Sequence, residues 1–159
     1  MRNIYTPSFR WTKRMMLLAS LLIFALSISA YDFKSGELYY NITPHMGAYT
    51  VEVTYEHELS ADNYDGLSYV TVPASVVHEG QEYAVTAVGQ WAFRMCPSLI
   101  AVYLPSSIRT IGDEAFRDCQ GLMGVDLPSS LRSIGSGAWY GCDAMSQLRL
   151  PKGLNYLGS

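Results

Sequence analysis

Apolar positions in the second half of the chain recur at a constant spacing. The segment LPSSIRTIG at 104–112 returns as LPSSLRSIG at 127–135, an offset of 23. Chance does not keep many columns in one register, so the chain contains an internal repeat. The columns are Pro105, Pro128 and Pro151; Cys96, Cys119 and Cys142; Ala92-Phe93, Ala115-Phe116 and Ala138-Trp139; Val88-Gly89, Ile111-Gly112, Ile134-Gly135 and Leu157-Gly158; Leu99, Leu122 and Met145; and Val102, Val125 and Leu148.

Each repeat predicts two short β elements. In the segment L-x-x-V-x-L the apolar residues share one face of a strand, and the following proline ends the strand because it has no amide hydrogen. The segment I-G-x-x-A-F predicts a second short element, in which glycine permits a tight bend. An earlier, longer unit begins at Leu67, whose offset from Leu99 is 32. The additional segment of this unit contains a predicted hairpin turn at 78–81.

Stacking of these repeats predicts a mainly β solenoid. One repeat cannot bury its apolar columns alone, whereas stacked repeats can, with equivalent residues about 4.8 Å apart along each ladder. In such an array Cys96, Cys119 and Cys142 form a column of thiols packed in the core. A catalytic or metal-binding role is the weaker interpretation, since the repeat accounts for all three cysteines.

Residues 31–65 lie outside the repeat register and predict a β-hairpin. Residues 37–42 and 48–55 have the composition of strands, and residues 44–47 have that of a turn. In the second strand Tyr49, Val51, Val53 and Tyr55 share one face. We expect this region to cap the N-terminal end of the array, because solenoids need capped ends. The repeats follow over 66–159 as about four units, the last of them truncated.

Residues 1–30 have the order of a secretory signal peptide. Four bases precede the uncharged apolar run MMLLASLLIFALSI at 15–28, and small residues follow it. A transmembrane anchor is the alternative, but a span needs about 20 apolar residues and this run is shorter. We therefore expect cleavage after Ser29 or Ala30, no stable membrane span in the mature chain, and export into an oxidising compartment.

Charge and motif content argue against several classes of function. After residue 30 the chain carries seven bases and fourteen acids, a net charge of −7 (7 − 14), so nucleic acid is not an expected partner. No C-x-x-C pair is present for a structural zinc site, and His57-Glu58 is not followed by the second histidine of H-E-x-x-H. His45, His57 and His78 are expected to be solvated. No metal site, cofactor or catalytic residue is predicted, and the protein is not expected to be an enzyme.

The repeat resembles a known family. Its pattern over 66–159, I-G-x-x-A-F-x-x-C-x-x-L-x-x-V-x-L-P-x-S-I, is similar to the BspA-like leucine-rich repeats of bacterial surface and secreted proteins. Residues 31–55 resemble the hairpin that often precedes such repeats. The resemblance implies a right-handed leucine-rich-repeat solenoid. It also implies an extracellular role in recognition or adhesion, with an extracellular protein or glycan as partner.

Outward-facing positions of the predicted strands form the candidate binding face. In L-x-x-V-x-L the x positions point outward, and stacking turns them into columns of varied chemistry on a constant framework. Aromatic residues and arginine dominate binding hot spots, which favours Tyr69, Tyr103 and Arg149 as anchors. The complete candidate set is Tyr69, Thr71, Tyr103, Asp126, Gln147 and Arg149.

Other interpretations of this face and of the whole chain stay open. An ordinary solvated surface would have the same pattern. The leading hypothesis is a secreted or cell-surface protein that binds a partner without catalysis. The alternative is a repeat targeting module or fragment of a longer extracellular protein, favoured by the stop midway through a unit at 157–159. A structural envelope component is a third class.

Overall fold

The fold consists of short β-strands connected by tight turns. The computed structural model describes residues 30–45, 48–56, 64 and 66–159, so the predicted signal peptide at 1–30 lies outside the described residues except for Ala30. No helix in this described part is long and apolar enough to cross a membrane. Its strands form an eight-stranded sheet and a three-stranded sheet. The strands are β1 (Phe33–Ser35), β2 (Leu38–His45), β3 (Ala48–Thr54), β4 (Tyr69–Thr71), β5 (Ser75–His78), β6 (Gln81–Val88), β7 (Ala101–Tyr103), β8 (Thr110–Ile111), β9 (Gly124–Asp126), β10 (Ser133–Ile134) and β11 (Tyr156–Leu157).

The three-stranded sheet contains the predicted L-x-x-V-x-L strands. β4, β7 and β9 run parallel, and Val70, Val102 and Val125 lie side by side in its central row. These valines are buried, whereas the residues before and after each of them are exposed or half-buried. The alternation arises because successive side chains of a strand point to opposite faces. The predicted strands around these three valines are confirmed.

The fourth strand expected from the repeat, around Leu148, is not formed. Residues 145–150 contain no strand, and among the described residues no backbone hydrogen bond joins them to β9. Leu150 in this segment is 45% exposed. The parallel sheet ends at β9, and Gln147 and Arg149 lie beyond it.

The second element of each repeat contributes to the eight-stranded sheet. Parallel pairs join Val88 in β6, Ile111 in β8, Ile134 in β10 and Leu157 in β11. The sheet order is β1-β2-β3-β6-β8-β10-β11, with β5 paired to β6. Side chains from both sheets belong to one buried cluster. The chain is therefore a repeat solenoid. We call one repeat of the solenoid a coil, and each inner coil adds one strand to each sheet.

The glycine that follows β8 and β10 is required by the close approach of neighbouring coils. A Cβ at Gly112 would lie 2.5 Å from the amide nitrogen of Gln90, and a Cβ at Gly135 would lie 2.4 Å from that of Asp113. Neither glycine has a positive φ, so close packing, not the predicted tight bend, is the reason for glycine here. Residues with a positive φ, in the left-handed backbone conformation, follow at two positions in each coil. They are Trp91, Glu114 and Gly137, and Met95, Asp118 and Gly141.

Aromatic side chains from successive coils stack through the core. The rings of Phe93 and Phe116 are parallel with centroids 5.3 Å apart, and those of Phe116 and Trp139 are 5.9 Å apart. Tyr64 extends the column toward the N-terminal end, with its ring 5.0 Å from that of Phe93. The column follows from the repeat, because equivalent positions of neighbouring coils lie one strand spacing apart.

The cysteines form a second column beside the aromatic one. Cys96 and Cys119 are buried, Cys142 is half-buried, and all three are free thiols. The Sγ of Cys119 donates to the carbonyl oxygen of Phe93 at 2.8 Å, and the Sγ of Cys142 donates to that of Phe116 at 3.0 Å. These two thiols therefore bond to the backbone of the preceding coil, whereas the Sγ of Cys96 lies 3.7 Å from the carbonyl oxygen of Arg94 in its own coil. The predicted core packing of the cysteines is confirmed, with Cys142 less covered than the other two.

The N-terminal region forms the predicted hairpin. β2 and β3 pair antiparallel, and β3 then pairs in parallel with β6, so the hairpin extends the eight-stranded sheet. Pro44 and His45 pair with the first residues of β3, which shortens the predicted turn at 44–47; residues 46 and 47 lie outside the described residues. Val51 and Val53 are fully buried, as the alternation predicts. Tyr49 is 62% exposed at the start of the strand.

The insertion in the first repeat is a hairpin, as predicted. β5 and β6 pair antiparallel on both sides of Glu79 and Gly80, which have φ values of 49° and 79°. Two positive φ values in sequence match the twist of a tight two-residue hairpin turn. His78 is half-buried and stacks on Phe33 with ring centroids 4.2 Å apart, so its predicted solvation is wrong. The side chain of His45 and all of His57 lie outside the described residues.

Candidate binding face

The outer surface of the three-stranded sheet carries four of the six predicted site residues, and Gln147 and Arg149 lie beyond its last strand. All six are exposed. Parallel pairing places four of them in two rows that cross the strands, and the rows lie about 7 Å apart because every second residue of a strand shares a face. The rows are Tyr69, Ala101 and Gly124, and Thr71, Tyr103 and Asp126.

A shallow groove of about 750 Å³ crosses this surface. We refer to it as the strand-face groove. Five of the six predicted residues line it: Tyr69, Tyr103, Asp126, Gln147 and Arg149. Thr71 does not, although it lies beside Tyr103 in the strand register. It lines a second cavity near the N-terminal hairpin instead.

Side-chain size gives the strand-face groove its shape. Ala101 and Gly124 form the low part of the first row, and a Cβ at Gly124 would meet nothing within 4 Å. Large side chains stand around them, since Tyr69 is 62%, Tyr103 52% and Met123 64% exposed. Met123 was missing from the predicted set. Its outward position in the repeat could have identified it. The predicted set omitted it because that set favoured aromatic residues and arginine.

Three polar side chains of the groove lack a partner among the described residues. In the described part of the chain, no hydrogen bond or ion pair engages the side chains of Asp126, Gln147 or Arg149. A ligand that bonds to these groups replaces only water and breaks no internal bond. Such groups contribute to recognition more readily than groups already held by the fold.

Charged side chains elsewhere on the coils bond to one another. Arg117 lies 3.0 Å from Glu114 and 3.3 Å from Asp118, and Arg94 lies 3.7 Å from Glu114. The guanidinium of Arg117 also covers the ring of Tyr140 at 4.9 Å. Because these charges neutralise one another, this cluster is a weaker candidate for binding than the strand-face groove.

The thiols are poor candidates for nucleophilic chemistry. The hydrogen bond with Cys96, followed by burial, raises the pKa of Cys119. Burial raises the pKa of Cys142 to about 12. Both groups stay protonated at neutral pH, and the thiolate is the reactive form. Within the described residues, no group of three or more histidine, cysteine, aspartate or glutamate side chains is placed to hold a metal ion.

The second cavity has a volume of about 410 Å³ and lies between the β1–β2 turn and β5. Tyr40 lines it and is fully buried. Its hydroxyl has no hydrogen-bond partner in the described part of the chain, and burial raises its pKa to about 12. Apart from Thr71, no predicted site residue contributes to this cavity.

Solved structures of bacterial leucine-rich repeat proteins resemble this fold. One from Bacteroides ovatus has 33% identity and a TM-score of 0.67, covering 78% of this chain and 30% of its own. One from Bacteroides capillosus has 31% identity and a TM-score of 0.62, covering 77% of this chain and 84% of its own. A leucine-rich cell surface protein from Faecalibacterium prausnitzii shares the fold at 24% identity, with a TM-score of 0.60 over 71% of this chain and 28% of its own. This chain thus spans under a third of the first and third proteins.

A family comparison agrees with the structural one. The profile of the BspA type leucine-rich repeat region matches residues 63–159 in six copies, which is more than half of the 159 residues. No curated protein matches the sequence at a significant level. The chain belongs to the BspA-type leucine-rich repeat family.

Proposed function

We propose that this protein is a non-catalytic leucine-rich repeat protein, secreted or held at the cell surface, that binds an extracellular protein or glycan. Binding uses the outer face of β4, β7 and β9. The observation that carries the proposal is the strand-face groove, where exposed tyrosines lie beside Asp126, Gln147 and Arg149, whose side chains have no internal partner in the described part of the chain. Aromatic residues with an arginine are the usual anchors of an interface.

Export and the finer architecture are part of the same proposal. The N-terminal order of bases, apolar run and small residues supports secretion. It agrees with the surface location named for the Faecalibacterium protein. We propose a right-handed coil of 23-residue units. The parallel pairing of residues 23 apart supports the unit length. The hairpin region at 31–65 would cap the N-terminal end, supported by the pairing of β3 with the first coil through β6.

A binding experiment with a matched control tests the proposed face. The exported protein is incubated with a panel of extracellular matrix proteins and glycans, beside a Tyr103→Ala/Arg149→Ala double variant. The control is Tyr140→Ala/Arg132→Ala, which removes the same two residue types from exposed positions away from the groove. We expect saturable binding that the first variant loses and the control keeps. Absence of binding by the folded wild-type protein would rule out the proposal.

A targeting module within a longer protein is the second candidate function. The observation that favours it is length, since the chain spans 30% of the Bacteroides ovatus protein. An antibody against the repeat region should then detect, in the source cell, a protein much larger than 17.7 kDa. A band at the size of this chain after removal of the signal peptide would contradict this second candidate.

A further inference from the structure

The strand-face groove has a floor and walls of different chemistry. Ala101 and Gly124 form its floor, and Tyr69 closes one end of their row. Tyr103 and Asp126 stand on one side of this floor, two residues further along the strands. Met123, 64% exposed, stands on the other side. A ligand in the groove therefore runs across the strands, with an apolar surface beneath it and polar groups at one side.

The charge of the groove favours a neutral ligand. Among its lining residues Asp126 and Arg149 carry opposite charges, and the others are uncharged. Neither charge forms an ion pair in the described part of the chain. An anion would gain from Arg149 and be repelled by Asp126, and a cation the reverse. A neutral molecule with several hydroxyl groups can donate to the carboxylate and accept from the guanidinium together.

The middle strand under the groove offers no backbone partner to an extended peptide. β7 lies between β4 and β9 and pairs with both, so its amide and carbonyl groups are already bonded. A peptide main chain over Ala101 would find no free backbone partner there, and unpaired peptide groups are costly to desolvate. A sugar ring presents an apolar C–H face to a floor and walls of this kind, and its hydroxyl groups lie at the edge.

We propose that the strand-face groove binds a neutral oligosaccharide lying across β4, β7 and β9. Apolar ring faces rest on Ala101 and Gly124 beside the tyrosine and methionine side chains. Ring hydroxyls bond to Asp126, Gln147 and Arg149. The inference rests on the proposed function, whose partner it narrows to one chemical class.

An oligosaccharide array tests the ligand class. The full exported protein is applied to neutral tetrasaccharides of glucose, mannose and N-acetylglucosamine, to sialyllactose and a heparin tetrasaccharide, and to cationic chitosan. We expect binding to neutral sugars only. For the strongest one, calorimetry should give an affinity that changes less than about twofold between about 0.05 and 0.5 M salt, because a neutral ligand has no net charge to screen.

Gly124→Val locates the ligand. The added side chain fills the groove floor, while its Cβ meets nothing within 4 Å, so folding should persist. Thr110→Val, an exposed position of β8 in the other sheet, is the matched control. We expect Gly124→Val to weaken binding at least about tenfold and Thr110→Val by less than about twofold. If Gly124→Val fails to fold, Asp126→Ala at the exposed wall gives the same test.

The outcomes separate this inference from the proposed function. Binding of a matrix protein or a charged glycan through Tyr103 and Arg149, without binding of neutral sugars, would overturn the inference and leave the proposed function standing. Absence of all binding would overturn both. Neutral-sugar binding that persists in folded Gly124→Val and Asp126→Ala would place the site elsewhere and contradict the groove assignment.

Discussion

Neighbouring coils are held together differently on two sides of the molecule. The strand face is formed by β4, β7 and β9. The turn side is formed by β6, β8, β10, β11 and the turns that follow them. On the turn side, side chains and close backbone contacts connect the coils. The Sγ of Cys119 reaches the carbonyl of Phe93, the rings of Phe93 and Phe116 stack, and Gly135 allows the backbone of one coil to touch that of the next. On the strand face, backbone pairing connects the coils, and the outward side chains contact mainly solvent.

This difference separates stability from recognition within one repeat. The turn-side residues named above are constrained because each contacts the backbone or a side chain of the neighbouring coil. Outward residues of the strand face, such as Tyr103 and Asp126, can change without breaking a contact that the fold needs. The same coil can therefore keep its framework and vary its surface. Paired substitutions, one on each side, test this separation.

The largest effect is expected from removing one ring of the aromatic column. Phe116 is fully buried between Phe93 and Trp139, so Phe116→Ala leaves a cavity bounded by two other rings. We expect it to lower the free energy of unfolding by about 4 kcal/mol. Tyr103→Ala, on the strand face, should change it by less than about 0.5 kcal/mol. Urea denaturation followed by circular dichroism measures both free energies of unfolding. Equal losses in the two variants would contradict the difference between the two sides.

A glycine pair gives the next largest difference. A Cβ at Gly135 would lie 2.4 Å from the amide nitrogen of Asp113, whereas a Cβ at Gly124 would meet nothing within 4 Å. Gly135→Ala should therefore cost about 3 kcal/mol as the coils are forced apart. Gly124→Ala should be neutral to within about 0.5 kcal/mol. Thermal unfolding of the two variants distinguishes them, and a stable Gly135→Ala protein would show that the coils can separate at little cost.

Much of the repeat fold could be predicted from the sequence because buried columns need the same residue type in every coil. The strands around Val102 and Ile111 follow from this requirement alone. The close contact at Gly112 could not be predicted, since spacing along the chain gives no distance between coils. Tyr64 was also missed, because its offset from Phe93 is larger than the repeat spacing, although its ring completes the column.

The candidate site was predictable in position and less so in shape. Alternation within a strand predicted that Tyr69 and Tyr103 point outward, and both line the groove. The sequence could not predict that residues 145–150 would not pair with β9, which leaves Arg149 beyond the sheet. The depth of the groove depends on the side chains around its floor. The role of Gly124 as part of the floor could therefore be recognised only once the structure had placed the larger side chain of Met123 beside it.

The pH dependence of stability tests the thiol contacts of the turn side. Burial raises the pKa of Cys142 from 9.0 to about 12, so the folded state favours the protonated thiol. The resulting stability is present below about pH 9 and is lost as pH rises through about 12, because ionisation then favours the unfolded chain. Urea denaturation between about pH 8 and about pH 11 should show a steeper loss for the wild-type protein than for Cys142→Ala.

Two variants support the interpretation of this pH dependence. Buried tyrosines titrate in the same range, and since they are present in both proteins, their contribution cancels in the difference between wild type and Cys142→Ala. Asp126→Ala, on the strand face, should leave the steepness of the wild-type curve unchanged. Curves of equal steepness for wild type and Cys142→Ala would show that folding does not raise the pKa of Cys142.

The smallest difference is expected between two exposed arginines. Nη1 of Arg132 donates to the carbonyl oxygens of Ser129 at 2.8 Å and Leu131 at 3.0 Å, whereas Arg149 has no such bond in the described part of the chain. Arg132→Ala should lower the free energy of unfolding by about 0.5 kcal/mol, and Arg149→Ala should leave it unchanged. Arg149→Ala should instead abolish partner binding, which Arg132→Ala should retain. An Arg149→Ala protein that loses stability but still binds its partner would show that Arg149 stabilises the fold and does not take part in recognition.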